Sequence, residues 1–309
     1  IPAGTRTRNR VVLPGPGLDG KSLYELIHAE GVSNTAGVPT IWLNLLKHTR
    51  EVEGNLDTLR TVIIGGSAAP GAMIKEFQDT YKTNVVHAWG MTEMSPLGSS
   101  GVIPPHISAK VNGEELFELQ VKQGHRVWGV EMKIVDEEEV PQPHDGKARG
   151  HLVVRGPWIT SGYYNNHDAN EKAFTKDGWF YTGDIATIDS ESFLQLVDRS
   201  KDVIKSGGEW ISSIDLENEA VGAAGVVEAA VIGVAHPKWD ERPVLIIVPE
   251  DIDNPPSEES IRDFLSTRIA KWWMPDLIVF KPEIPHGATG KILKTELREE
   301  LKDALQDAS

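Results

Sequence analysis

Segments with helical spacing of apolar residues alternate with short runs of branched apolar residues over the first hundred positions. Within residues 21–30, Leu23, Leu26 and Ile27 fall three or four positions apart or side by side, which predicts a helix with one buried face. Pro39 predicts the start of a second helix, because proline is favoured in a first helical turn. The same pattern predicts strands at VSNTAG, LRTVIIGG and NVVHAWG, and helices over 39–48 and 70–81.

Strands that alternate with helices in this way predict an α/β fold, with part of a doubly wound, mostly parallel sheet. Ligands bind beyond the carboxyl ends of such strands. Two polar loops follow predicted strands, GGSAAP at residues 65–70 and HAWGMTE at residues 87–93. We therefore predict a binding site at this edge, with a plain strand-to-helix turn as the alternative for the first loop.

The pattern changes twice further along the chain. Residues 101–198 contain short strand-like runs, such as VEMKIVD, GHLVVRG and SFLQLVD, which predict an antiparallel, β-barrel-like subdomain. The last third predicts helices over 214–221 and 258–271 and from about 292, with strands at VVEAAVIGV, PVLIIVP and LIVF. We predict three units: an incomplete α/β unit 1–100, a β unit 101–198 and a small, mobile α+β domain 199–309.

Charge and composition narrow the class of partner. The 309 residues carry a formal net charge of −15 and no cysteine. An acidic chain lacks the basic face that nucleic acids and anionic membranes require, so we expect neither as a partner. The lack of cysteine excludes disulfides and thiolate chemistry. Together with the absence of a signal-type apolar run at IPAGTRTRNR, it leads us to expect a cytoplasmic protein.

Four short motifs carry candidate chemistry. They are WGMTE at 89–93, YTGD at 181–184, DRSKDVIKSGGEWIS at 198–212 and PHGATGKILK at 285–294. The Gly-Gly pair of the third motif permits positive φ and close approach of a ligand, and the fourth is a flexible turn that carries a lysine. Taken singly, each has an ordinary alternative: a helix-capping Thr-Glu pair, a turn aspartate, a surface ion pair and an exposed lysine.

Together and in this order, the motifs resemble those of the acyl-adenylate-forming superfamily. PGPGLDG, GVPTIWLNLL, SGGEWISSIDLEN and HPKWDERP look closest to the branch of medium-chain fatty-acid-CoA ligases and 3-methylmercaptopropionyl-CoA ligase. The resemblance implies an AMP-forming acyl-CoA synthetase, an acid–thiol ligase that uses ATP, Mg²⁺ and coenzyme A. A carboxylic acid is first joined to AMP with release of pyrophosphate, and the CoA thiol then displaces AMP.

The resemblance also implies roles for single residues. Lys291 contacts the α-phosphate, Thr92 donates a hydrogen bond to it, and Glu93 holds Mg²⁺, an ion that takes oxygen ligands. Asp184 and Arg199 contact the ribose. The rest of the nucleotide wall consists of Ala69, Pro70, His87, Ala88, Trp89, Gly90 and Met91. Trp89 stands where many relatives have tyrosine, an exchange that preserves ring stacking but not a phenol contact.

The two steps need different groups beside the nucleotide, and the resemblance implies that the small domain rotates between them about Lys201. After rotation, a Gly-containing loop of this domain would line the channel for the pantetheine arm of CoA. That loop consists of Ser206, Gly207, Gly208, Glu209 and Trp210.

The acid is the least constrained part of the prediction. Residues 42–45 and 65–68, with Gly37 and Val38, are candidates for its pocket, and ordinary core is the alternative for the apolar ones. The resemblance to one branch favours a short- or medium-chain acid.

The superfamily's Ser/Thr/Gly-rich phosphate loop, which ends in Pro-Lys-Gly, does not occur in the 309 residues. We therefore expect the chain to be the carboxyl-terminal part of a longer enzyme and to be inactive as a ligase by itself. Two other functions stay open. One is adenylate formation with a different acceptor, and the other is a truncated, non-catalytic paralogue that only binds nucleotide or a protein partner.

Overall fold

A computed structural model describes residues 10–287 and 292–306, and three sheets organise this part of the chain. The first sheet has the strand order β1-β2-β3-β4-β5, in which β1, β2 and β3 are parallel and β4 and β5 are antiparallel to their neighbours. These strands are β1 Asn34–Gly37, β2 Thr61–Ile64, β3 Asn84–Gly90, β4 Leu97–Ser100 and β5 His125–Arg126. The predicted parallel arrangement with intervening helices is confirmed.

In the described part of the chain, five helices accompany this sheet, and the first three of them pack an apolar face into its core. They are α1 Gly20–Glu30, α2 Pro39–Glu51, α3 Gly71–Asp79, α4 Pro105–Ser108 and α5 Gly113–Gln120. Helix α1 begins at Asp19, whose side chain accepts a hydrogen bond from Ser22 N at 2.9 Å, and it ends at Gly31 with φ of 58°. Leu45, Ile74 and Phe77 are fully buried beneath the helices. This packing fixes the strand ends that carry the polar loops.

The second sheet is an antiparallel meander with the order β6-β7-β8-β9. Its strands are β6 Glu131–Val135, β7 Gly150–Arg155, β8 Phe180–Ile188 and β9 Leu194–Arg199, with helix α6 His167–Ala173 between β7 and β8. The antiparallel prediction is confirmed, although among the described residues the sheet stays open and does not close into a barrel. The YTGD motif lies inside β8, and Asp184 is the register partner of Arg199 in β9.

The third sheet belongs to the last third of the chain and has the order β11-β10-β13-β12, with β14 parallel to β13. Its strands are β10 Ile204–Ser206, β11 Glu209–Ile211, β12 Val226–His236, β13 Asp240–Pro249 and β14 Leu277–Phe280. The helices are α7 Ser213–Val221, α8 Glu258–Ser266 and α9 Lys294–Leu301. Neighbouring residues of β12 face opposite sides, so that Val231 packs under α7 and α8 whereas Ile232 packs under α9.

Helix α8 is shorter than the predicted 258–271. The backbone N–H groups of Arg268 and Ile269 both donate to Leu265 O, at 2.9 and 3.0 Å, which closes the helix end, and a 3₁₀ turn follows at Lys271–Trp273. Across residues 10–287 and 292–306, no helix combines the length and apolar character that crossing a membrane requires. The division into three units stays a prediction. Strand β5, in the predicted second unit, pairs with β4 of the predicted first unit, so this sheet crosses the predicted boundary after residue 100.

Candidate functional site

A cleft of about 470 Å³ lies where the carboxyl ends of β2 and β3 face the last third of the chain. Its first wall comes from the loop after β2 and from β3, and it includes Gly66, Ser67, Ala68, Pro70, His87, Ala88, Trp89 and Gly90. Its second wall includes Asp184, Asp198, Arg199, Lys201, Glu217, Glu228, Ile292 and Lys294. Each of the four sequence motifs therefore contributes at least one residue to a single cleft.

Asp184 is the point at which three of the predicted residues meet. Its Oδ1 lies 3.1 Å from Arg199 Nε, and its Oδ2 accepts a hydrogen bond from the Trp89 indole N–H at 3.0 Å. The Asp184 side chain is 5 % exposed, whereas that of Arg199 is 40 % exposed. The carboxylate is thus held at the base of the cleft, while the guanidinium reaches towards solvent. The alternative for Arg199 was a surface ion pair with Asp198 or Asp202. The guanidinium instead pairs with Asp184, while Asp202 accepts from Arg298 at 2.6 Å and Asp198 accepts from Ser213 N at 2.6 Å.

His87 contributes a neutral ring to the first wall. It is 2 % exposed, and burial lowers the pKa of its imidazole, so that the ring is uncharged near pH 7. Its Nδ1 lies 2.9 Å from Val121 O, which makes this nitrogen a donor. Gln123, which sequence analysis missed, packs against the ring and accepts from Leu196 N at 2.6 Å. The wall that the nucleotide prediction concerns is therefore mainly apolar and uncharged.

Four predicted nucleotide-site residues do not line the cleft in the described part of the chain. Ala69 is buried in the first core, and Met91 packs against the core beneath β6–β9. Thr92 and Glu93 begin the 3₁₀ turn Thr92–Met94 that follows β3. Both follow Gly90, which does line the cleft, by two and three positions in the chain.

The Glu93 carboxylate has a defined neighbour in Tyr163. The tyrosine hydroxyl donates to Glu93 Oε1 at 2.9 Å, and burial together with this carboxylate raises the pKa of Tyr163. A carboxylate oxygen is a suitable ligand for Mg²⁺. Within residues 10–287 and 292–306 there is no group of three or more His, Cys, Asp or Glu side chains that could hold a metal by themselves. An ion at Glu93 would therefore take most of its ligands from phosphate and water.

The predicted CoA loop forms the β10–β11 hairpin and lies away from the lining of the cleft. Gly207 and Gly208 have φ of 60° and 89°, which is the conformation that a Gly-Gly turn allows. A Cβ at Gly207 would lie 3.0 Å from the Trp239 ring. The Trp210 carbonyl accepts from Arg149 Nη1 at 2.7 Å. In this arrangement the hairpin contacts Arg149 and, through the Trp210 ring, His151 of β7, and its residues are not among those that line the cleft.

Lys201 lies in the turn between β9 and β10, close to the predicted boundary between residues 198 and 199. It is exposed and it borders the cleft. The turn is closed by the N–H groups of Asp202 and Val203, which both donate to Arg199 O at 2.9 Å. This single short turn, with no longer linker, is the covalent connection about which a rotation would occur.

Buried charges on the second wall are the feature that sequence analysis missed. Lys294 Nζ lies 2.6 Å from Glu217 Oε1 and 2.6 Å from Ser213 Oγ, and its side chain is only 11 % exposed. Asp198 Oδ2 accepts from Ser213 N at 2.6 Å, and burial raises the pKa of Asp198. Burial alone would lower the pKa of Lys294, but the carboxylates of Glu217 and Asp198 raise it. The only sequence signal was the position of Lys294 at the end of the fourth motif.

Lys291, the predicted catalytic lysine, lies outside the described residues. Its neighbour Ile292 lines the cleft. On the other side of the undescribed segment, His286 Nε2 lies 2.7 Å from Glu228 Oε1, and Glu228 also lines the cleft.

The acid-pocket candidates divide between the cleft and the core. Leu43 and the loop residues Gly66–Ala68 line the cleft. Trp42 and Leu45 are 2 % and 0 % exposed and belong to the first core, as the alternative interpretation predicted. A Cβ at Gly37 would lie 2.8 Å from the Trp42 ring, so this glycine is required for packing against the tryptophan.

Solved structures with this arrangement are adenylate-forming enzymes. The crystal structure of the anthranilate CoA ligase AuaEII in complex with anthranoyl-AMP matches with a TM-score of 0.82 at 25 % identity, over 96 % of this chain and 55 % of that one. ATP-bound MatB from Rhodopseudomonas palustris matches with a TM-score of 0.77 at 27 % identity, over 93 % and 54 %. The fold class predicted from the sequence is confirmed.

The chain belongs to the AMP-binding enzyme family, whose model matches residues 4–164, and the model of the C-terminal domain of these enzymes matches residues 215–291. It is 48 % identical over 296 residues to 3-methylmercaptopropionyl-CoA ligase of Ruegeria lacuscaerulensis, covering 96 % of this chain and 54 % of the relative. It is 44 % identical to medium-chain-fatty-acid–CoA ligase of Ectopseudomonas oleovorans, covering 97 % and 54 %. The chain thus spans about half the length of the curated relatives it matches.

Proposed function

We propose that the protein carrying this chain is an AMP-forming acid–thiol ligase, which activates a carboxylic acid with ATP and transfers the acyl group to coenzyme A. The observation that carries the proposal is the convergence of all four motifs on one cleft, through Trp89, Asp184, Arg199 and Ile292. The names of the relatives, which are CoA ligases, support the same reaction. The cytoplasmic location expected from the sequence stays a prediction.

The nucleotide would lie along the first wall. Pro70, Ala88 and Trp89 offer an apolar surface for the adenine, and neutral His87 adds no charge to it. Asp184 is a carboxylate that carries no proton to donate when ionised, and it accepts hydrogen bonds from ribose hydroxyl groups. Arg199, partly exposed above it, supplies positive charge near the same sugar.

The phosphates require positive charge, which the acidic chain must supply locally. We propose that Glu93 holds Mg²⁺, which when bound would neutralise phosphate charge, and that Thr92 donates its hydroxyl to the α-phosphate. The position of both residues just beyond Gly90, and the hydrogen bond that orients Glu93 through Tyr163, support this assignment. In this scheme Glu93 accepts the hydrogen bond from Tyr163 and would hold the metal ion, and it does not act as a base towards the substrate.

Lys291 would stabilise the charge that develops on the α-phosphate in the first step. Two residues that flank the segment containing Lys291 support the prediction. Ile292 lines the cleft, and His286 contacts Glu228, which also lines it. For the second step, we propose that residues 199–309 rotate about Lys201 and bring the loop from Ser206 to Trp210 to the CoA channel. Its present hydrogen bond with Arg149, which lies outside the rotating residues, then belongs to the adenylate-forming orientation.

The acid is proposed to be a short- or medium-chain aliphatic carboxylate. The named relatives act on 3-methylmercaptopropionate and medium-chain fatty acids, and another, from Thermus thermophilus, is named for long-chain fatty acids at 46 % identity. Leu43 and the small residues Gly66 and Ala68 give the cleft an apolar end that suits an alkyl chain.

The reaction is tested by replacing Lys291 with alanine in the full-length protein. We expect adenylate formation to fall by a factor of several hundred, because a donor on a developing oxyanion is worth about 3–4 kcal/mol. Thioester formation from supplied acyl-adenylate should change little. Pyrophosphate release measures the first step, and AMP release from supplied adenylate measures the second.

The exposed Lys110 provides the matched control, since Lys110→Ala removes a lysine that does not line the cleft and should alter neither step. Equal loss of both half-reactions in Lys291→Ala would contradict the assigned role. Adenylate formation by the unmodified protein without CoA-dependent AMP release would instead indicate a different acceptor. Nucleotide binding without adenylate formation would indicate a non-catalytic paralogue that only binds nucleotide, and failure to bind nucleotide at all would leave the paralogue that binds a protein partner.

A further inference from the structure

We propose that Trp89 is a positioning residue, whose indole N–H fixes the Asp184 carboxylate for binding the nucleotide ribose. This role is separate from ring stacking, and it rests on the proposed function of the cleft. Ring stacking on the nucleotide is the contribution expected of Trp89, but its indole also offers an N–H donor, which a purely apolar ring lacks.

Two contacts of the Asp184 carboxylate bear on this role, one at each of its oxygens. Trp89 Nε1 lies 3.0 Å from Oδ2, and Arg199 Nε lies 3.1 Å from Oδ1. Trp89 is 7 % exposed and Asp184 is 4 % exposed, so the indole hydrogen bond is shielded from water. A hydrogen bond to an ionised acceptor in such surroundings is stronger than one between neutral groups.

The two donors differ in how firmly they are held. Arg199 is a long side chain with 40 % exposure, so its guanidinium can follow movements of the carboxylate with which it pairs. The indole is fixed by packing: a Cβ at Gly98 would come within 2.5 Å of Trp89 Cζ3, so the glycine lets β4 lie close against the ring. Met94 packs against the same core. A rigid donor therefore sets the plane of the carboxylate, and Arg199 completes it.

The consequence is a specific expectation for ribose recognition. If the indole N–H holds Asp184, its loss should weaken only those ligand contacts that Asp184 makes. Loss of packing at Trp89 would weaken binding of every nucleotide, with or without ribose hydroxyl groups.

The experiment combines the variant Trp89→Phe, which retains an aromatic face but no donor, with AMP and 2′,3′-dideoxy-AMP as ligands of the full-length protein. Calorimetry measures both affinities. We expect Trp89→Phe to weaken AMP binding about tenfold, in line with the loss of one hydrogen bond to a charged group. Binding of the dideoxy ligand should change less than about twofold. Equal weakening of both ligands would overturn the proposal, because it is the signature of stacking alone.

A variant cycle tests the same coupling from the protein side. In an Asp184→Asn background, the further change Trp89→Phe should cost less than about twofold in AMP affinity, whereas an additive cost would count against the proposal. Trp128→Phe is the control, since Trp128 is 89 % exposed and lies outside the cleft lining. It should leave both ligands unaffected.

Indole N–H resonances report both the fold and the contact, so they distinguish a lost hydrogen bond from a variant that does not fold. With labelled tryptophan in the full-length protein, Asp184→Asn should shift one indole N–H resonance strongly upfield from its wild-type position while the others stay in place, and no such shift would refute the contact. The proposed function fails separately, if wild-type protein binds neither AMP nor ATP. Wild-type binding with an unchanged Trp89→Phe affinity leaves the proposed function intact and removes only the role of Trp89.

Discussion

The two walls of the cleft differ in how they are built. The first wall consists of strand ends with neutral or apolar side chains, such as Pro70, Ala88 and uncharged His87. The second wall buries charge, with Lys294 and Glu217 in contact at 2.6 Å and Asp198 against the start of α7. The first wall has the properties of a binding surface for a planar ligand. The second wall has those of a contact between parts of the chain on either side of the turn at Lys201, and we call it the joint.

The hydrogen bonds of the second wall cross the turn at Lys201. Asp198 precedes the turn and accepts from Ser213 N, which follows it, and Ser212 Oγ donates to Val197 O at 2.5 Å. Rotation of residues 199–309 about the turn would separate these pairs. We therefore expect both walls to contribute to nucleotide affinity, the second through Asp184 and Arg199, whereas stability and domain orientation should depend on the buried charges of the second wall.

The largest effect on stability is expected from Lys294→Met. Removal of the ammonium leaves the Glu217 and Asp198 carboxylates buried without their cation, which typically costs about 3–5 kcal/mol. Denaturant unfolding of the full-length protein, followed by a probe in residues 199–309, measures the loss. Lys302→Met is the control, because Lys302 is exposed on the same carboxyl-terminal segment. A loss below about 1 kcal/mol would show that the second wall does not depend on this pair.

A smaller effect is expected from pH, through Asp215 in the first turn of α7. Burial raises the pKa of this carboxyl to about 6 from 3.8, with Arg149 opposing the rise and Asp198 and Glu219 adding to it. The folded state therefore holds a proton between about pH 4 and 6 that the unfolded state has released. Its contribution is greatest below this window and is lost as pH rises through it, by about 3 kcal/mol at most.

Asp215→Asn isolates this contribution, because the amide does not titrate. Stability measured from pH 4 to 7 should fall less steeply with rising pH in the variant than in the unmodified protein. Asp263→Asn, an exposed carboxylate on α8, should leave the slope unchanged. Identical slopes for Asp215→Asn and wild type would mean that the joint carries no protonated acid.

The contrast between the walls also explains what sequence patterns could predict. The strand ends at Trp89 and the Gly207-Gly208 turn follow from local residue order, and both lie in the elements expected. Helix α8 is shorter than predicted because its end is set by backbone hydrogen bonds to Leu265, which apolar spacing does not reveal.

Contacts between distant segments were not predictable in the same way. Asp184 was identified by its motif, but its contact with Trp89 depends on two sheets meeting. The Lys294–Glu217 pair joins two helices whose spacing in the chain carries no signal, and a lysine in a polar segment is ordinarily exposed. Residues whose roles follow from local motifs could therefore be predicted from the sequence, whereas the buried ion pairs of the joint could be identified only from the tertiary structure.

The smallest expected effect concerns the turn itself, and it tests whether the joint moves. Proline fixes φ, so Lys201→Pro should restrict the backbone change that rotation needs. We expect the second half-reaction to slow about tenfold, or roughly 1.4 kcal/mol, with the first much less affected. Lys201→Ala, which removes the side chain but not the backbone freedom, should behave like wild type. Equal slowing of both steps by proline would argue that the two walls keep one arrangement throughout the reaction, because a fixed joint has no motion for proline to restrict.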